Sequence, residues 1–130
     1  MVTNQIMMPK DWQEVHFFKE SEFSFKCGCG FNVMKKEFIL LLDIAREKAK
    51  TPFKINCGCR CSAHNKNVGG VQDSAHIKGL AVDIHAEDNT ARFKIVSALL
   101  AVGFKRVLIY GTFVHVDDDL TKDYPILNLM

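Results

Sequence analysis

The chain has 130 residues, 48% hydrophobic and 25% charged, which is the make-up of one globular domain and excludes disordered and fibrous classes. Its apolar runs, such as Phe38 to Leu42, are far short of the roughly 18 residues a membrane span needs, so no membrane partner is expected. Seventeen basic against fifteen acidic residues leave a net charge of +2, too little to argue for a nucleic-acid partner.

Residues 1–17 read as a loosely organised N-terminal segment of a single domain covering 1–130. Residues 1–15 lack the basic start and apolar stretch of a secretory signal, so the expectation is synthesis in the cytoplasm without a signal peptide. Ser21 is placed to cap a short turn through Glu22 and Phe23, and Trp12 with Phe17, Phe18, Phe23 and Phe25 reads as a core cluster. Cys27-Gly28-Cys29-Gly30 is loop, because its glycines break either regular period. The first helix is predicted at about 34–50, where Phe38, Leu41, Leu42 and Ala45 fall at helical spacing and Thr51-Pro52 stops it. Phe53 to Ile55 alternates as a short strand. Residues 58–79, rich in Gly, Ser, Asn and Cys, form a long irregular segment of the kind that carries function when it is ordered.

Leu80 to Ala86 reads as a strand. A second helix at about 90–102 is capped by Asp88, Asn89 or Thr90, shows an apolar face of Phe93, Val96, Leu99 and Leu100, and ends at Gly103. Arg106 to Tyr110 and Phe113 to Val116 read as strands of a hairpin about Gly111-Thr112. Asp117 to Met130 gives no clear signal. The fold class is therefore α+β, with a mainly antiparallel sheet and two main helices.

The chemistry concentrates on two of these strands. Alternation sends Val82 and Ile84 to one face and Ala81, Asp83 and His85 to the other. In the last strand Val114 and Val116 oppose Phe113, His115 and Asp117. Neighbouring strands can thus present Asp83 and His115 to one space, with His76, in a loop held by Gly79, closing the set. Two imidazoles and one carboxylate are three ligands for zinc with a fourth position open, the arrangement of a catalytic site. The same residues also suit a hydrogen-bonded polar strand face.

The run Ser74-x-His76-x-x-Gly79-x-Ala81-x-Asp83, followed by His115-x-Asp117 on an apolar strand, resembles the zinc D-Ala-D-Ala metallopeptidases. These are grouped with lysostaphin-type enzymes and hedgehog domains. Upstream, Cys57-Gly58-Cys59-Arg60-Cys61, His64-Asn65 and Val68-Gly69-Gly70 match in order the segment that in the small D,D-carboxypeptidase-like members reads Ser-Gly-Tyr-Arg-Cys, His-Asn and Val-Gly-Gly. The resemblance spans roughly residues 18–118. It implies a hedgehog/D,D-peptidase-like fold and one Zn2+ ion on His76, Asp83 and His115. Arg60 is then the group for the developing oxyanion or a substrate carboxylate, and Ser74 a substrate or outer hydrogen-bonding residue. It also implies hydrolysis of amide bonds in peptidoglycan peptides by zinc-activated water, after lysis or on a virion, in a bacterial or phage protein. The alternative is a zinc-containing domain that only binds cell-wall peptide or a protein partner.

Relatives place Glu or Asp three residues before the last ligand His, where this chain has Thr112. Asp117 is the nearest substitute as general base, or else it fixes the tautomer of a ligand His. Asp118 and Asp119 read as solvated strand-end charges, and His85 as a rim residue. The five cysteines, in Cys-x-Cys clusters, read foremost as idle thiols, with a disulfide or a second metal site as alternatives. Oligomeric state is not legible.

Overall fold

In a computed structural model of the chain, residues 5–23, 33–58 and 74–130 are described. Helix α1 runs Lys36–Ala49, burying Phe38, Ile39, Leu42, Ala45 and Ala49. Lys50 turns left-handed, with φ 54°, and Pro52 then prevents the helix from resuming. The buried carboxylate of Asp43 accepts the backbone N–H groups of His16 and Phe17, at 3.0 and 2.9 Å. Asp11, at the start of a 3-10 turn over Pro9–Glu14, accepts the Met8 N–H at 2.8 Å and pairs with Lys36. Together with the Ile6–Lys35 bridge, these contacts pin the N-terminal segment to the start and middle of α1. Trp12, Phe18 and Phe23 do cluster, whereas Phe17 lies outside under the Arg46 guanidinium, 4.7 Å from its ring centre. Phe25 lies outside the described residues.

The sheet contains β1 (Ile55–Cys57), β2 (Ala81–His85), β3 (Arg106–Ile109), β4 (Phe113–Asp117) and β5 (Ile126–Leu129), in the order β1-β2-β4-β3-β5. Every pairing is antiparallel except β3 with β5. The hairpin turns at Gly111-Thr112, where Tyr110 N–H donates to the Phe113 carbonyl at 2.9 Å. Val82, Ile84, Val107, Val114 and Val116 are fully buried on one face, in a single core with the inner faces of α1 and of α2 (Asn89–Ala101). Because strand side chains alternate, a one-residue slip would drive Asp83 and His115 into that core. Burial of each valine or isoleucine, worth about 1.5–3 kcal/mol, therefore fixes which face the polar residues occupy.

Two expectations need correction, and a segment without a sequence signal gains a strand. The inner face of α2 is Ile95, Ala98 and Leu99, while Phe93 is 73% exposed and Leu100 is exposed. This helix has apolar residues around its circumference, so periodicity alone does not choose a face; packing on α1 does. The uncharacterised tail supplies β5, a parallel edge strand whose outward leucines obscured the strand signal. Asp119 is only 2% exposed, held by Lys78 at 2.8 Å, Lys122 at 2.6 Å and the Thr121 hydroxyl.

Candidate metal centre

Asp83 and His115 are direct cross-strand partners on the sheet face opposite the core. His76 arrives from a tight turn over 74–79 that ends at Gly79 with φ +73°. A Cβ there would fall 1.9 Å from the Val33 carbonyl oxygen, so only glycine lets the turn close against this segment. The Gly79 carbonyl accepts the Lys35 N–H at 3.0 Å, and Lys78 reaches Asp119 beyond β4. The turn carrying His76 is thus tied to both α1 and the end of β4.

Three donor atoms converge. His76 Nε2 lies 3.4 Å from Asp83 Oδ1, and His115 Nδ1 lies 3.0 Å from the same oxygen. Neighbouring ligands at 2.0–2.1 Å from one tetrahedral zinc ion are about 3.3 Å apart, and each imidazole meets Asp83 near that spacing; the group whose donor atoms all lie within 4.8 Å of one another is Cys57, His76 and Asp83. The opposite ring nitrogens are both engaged. His76 Nδ1 lies 2.7 Å from the Gly58 carbonyl, and His115 Nε2 lies 2.7 Å from Asp117 Oδ2. If each of those nitrogens carries the proton, His76 Nε2 and His115 Nδ1 are left as lone pairs aimed at Asp83. This is the pattern of ligand histidines fixed from behind.

Asp117 is engaged on both oxygens. Oδ2 faces His115, while Oδ1 accepts from Arg106 Nε at 2.8 Å and from the Asp119 N–H at 3.0 Å. Arg106, its cross-strand partner, also donates to the Asp123 carbonyl. Of the two roles open to Asp117 in the sequence, this geometry supports the orienting one. Arg106 was not foreseen; a charged residue opening an apolar strand was its only signal.

The electrostatics follow from crowding. Burial drives the Asp83 carboxyl up, but hydrogen bonds from His115 and His76 outweigh it and hold the group well below the usual carboxylate range. Burial likewise pulls both imidazoles down, yet Asp83 and Cys57 push His76 up to about 9, and Asp117 with Asp83 raises His115. Asp117 is lowered because contacts with His115 and Arg106 overcome its burial.

Cys57 joins the same face. Its donor atom and those of His76 and Asp83 all lie within 4.8 Å of one another, and Sγ is 3.8 Å from His76 Nδ1. The signal for it is a bulge. Ile55 pairs with Ile84 but Cys57 pairs with Asp83, so the register shifts between them and Cys57 turns away from the core side of Ile55. Sequence reasoning reads this residue foremost as an idle thiol, with a disulfide or a second metal site as the alternatives.

Ser74 is buried, and its hydroxyl accepts the His76 N–H at 3.2 Å, as a cap of the turn does. His85 is half-buried opposite Phe113. Thr112 is exposed in the hairpin. Arg60, Cys27, Cys29, Cys59, Cys61, His64, Asn65, Val68, Gly69 and Gly70 lie outside the described residues.

A family model described as Peptidase M15 matches residues 16–117, most of the chain and all three converging donors. No curated protein matches. The chain belongs to the peptidase M15 family, the zinc D-Ala-D-Ala metallopeptidases.

Proposed function

We propose that this M15 metallopeptidase hydrolyses amide bonds in bacterial peptidoglycan peptides, using one zinc ion held by His76, Asp83 and His115. The observation that carries the reading is the meeting of His76 Nε2 and His115 Nδ1 at one oxygen of Asp83, with both rings tethered from behind. Zinc bound there supplies Lewis acidity toward a scissile carbonyl and toward water.

The chain's own residues do the rest. Asp83 neutralises part of the ion's charge and sits between the imidazoles. Asp117, locked by Arg106, keeps the far nitrogen of His115 protonated and so keeps Nδ1 available as a donor. The Gly58 carbonyl does the same for His76. Arg60, by resemblance, supplies a permanently charged fork of donors for the oxyanion or a terminal carboxylate of the peptide. With both oxygens of Asp117 occupied, proton transfer during turnover falls to another group.

That occupancy, together with Thr112 at the hairpin, favours a second reading: a domain that keeps its metal and binds cell-wall peptide without cleaving it. Purified cell walls and a peptide ending in D-Ala-D-Ala, incubated with and without chelator, separate the two. The enzyme reading expects product release that stops on chelation and in His76→Ala. Binding without release, by protein that holds its zinc, overturns it in favour of the second. Release that survives both treatments overturns the zinc mechanism.

A further inference from the structure

We propose that Cys57 is a fourth protein donor of the metal centre, closing it in the resting protein with two imidazoles, a carboxylate and a thiolate. The inference rests on the metal reading above and adds a means of regulation to it.

The bulge is the first support. A regular strand would put Cys57 on the same face as Ile55, which is buried in the core. The register shift instead sets it beside Asp83, at the cost of an irregular ladder. Distance is the second. The donor atoms of Cys57, His76 and Asp83 lie within 4.8 Å of one another. Donors around one zinc ion, with Zn–S at 2.3 Å, are about 3.3–3.8 Å apart, so Sγ has to move inward, from beside His76 Nδ1 toward the Nε2 edge of that ring, to complete the set. Exposure is the third. Cys57 is half-buried, so solvent and thiol reagents reach its side chain.

The consequence follows from zinc chemistry. A site with four protein ligands is closed, whereas a catalytic one keeps a position open. On binding, the thiol gives its proton to solvent and the thiolate fills that position. Turnover then requires Cys57 to withdraw, and any reagent that blocks the thiol holds the site open.

Cobalt(II) in place of zinc tests this without any substrate. The proposal expects a thiolate-to-cobalt charge-transfer band in the near ultraviolet, beside the visible bands of a bound tetrahedral ion. In Cys57→Ser the visible bands persist and the charge-transfer band is lost. Zinc affinity of that variant falls by more than about 100-fold, beyond the 10–100-fold that losing an outer hydrogen-bonding partner of a ligand histidine costs. Visible bands without the charge-transfer band in the wild type overturn the proposal and leave the three-ligand site standing. A charge-transfer band that survives Cys57→Ser overturns it as well. Absence of both sets of bands overturns the metal reading and the proposal together. Circular dichroism confirms that the variant is folded.

Discussion

His115 is gripped at both ring nitrogens, by Asp83 in front and by Asp117 behind, and the second grip depends in turn on Arg106. Asp117→Ala should therefore weaken zinc binding by about 10–100-fold while leaving the three donors in place, as measured by competition with a chelating dye. Arg106→Leu strands Asp117 as a buried charge without its cationic partner and should cost about 3–5 kcal/mol in denaturant unfolding. If Arg106→Leu is as stable as the wild type, Asp117 is not held in the way described. The raised imidazoles give a further expectation. His76 is shifted from 6.5 to about 9, so in chelator-treated protein its protonation stabilises the fold fully below 6.5, and that contribution fades as pH climbs through about 9. Zinc needs the unprotonated rings, so its affinity moves the opposite way. Between pH 6.5 and 9 the melting temperature of the chelated protein should fall while its gap to the zinc-loaded protein widens. A gap that narrows with rising pH would show that protons and metal do not compete for these rings.

At the scale of elements, the centre depends on two backbone details, the left-handed turn at Gly79 and the bulge in β1. Gly79→Ala should lower stability by more than about 1 kcal/mol and also weaken zinc binding, since the added Cβ would push the His76 turn off Val33. Gly103→Ala is the control: φ is +105° there too, but nothing lies within 4 Å, so it should strain the helix end and leave zinc affinity unchanged. Equal losses of affinity in both variants would mean that Gly79 acts only through global stability. Strands β2, β3 and β4 and helix α1 were legible because alternation and helical period are strong where one face is buried, and Asp83 and His115 were legible because they break the apolar rule on opposed strands. The inner face of α2 and the position of Cys57 were not. The first is decided by packing on α1, and the second by a shift of register that leaves no mark in the composition of β1. The partners of Asp119 come from Lys78 and Lys122, 41 residues and 3 residues away, a meeting that only the folded chain reveals.

For the molecule as a whole, one ion would join the 74–79 turn, β2 and β4, segments that are separate in sequence and meet only on folding. A ligand that binds the folded chain alone stabilises it by mass action, about 4 kcal/mol at a thousand times its Kd. For a domain of this length that is a rise in melting temperature of about 15 °C, to be read by calorimetry with and without zinc. The most direct measurement is the metal content of protein purified without added metal, wild type beside a folded Asp83→Ala variant. The account predicts one zinc per wild-type chain and none in the variant. Equal metal in both, or none in either, would contradict it.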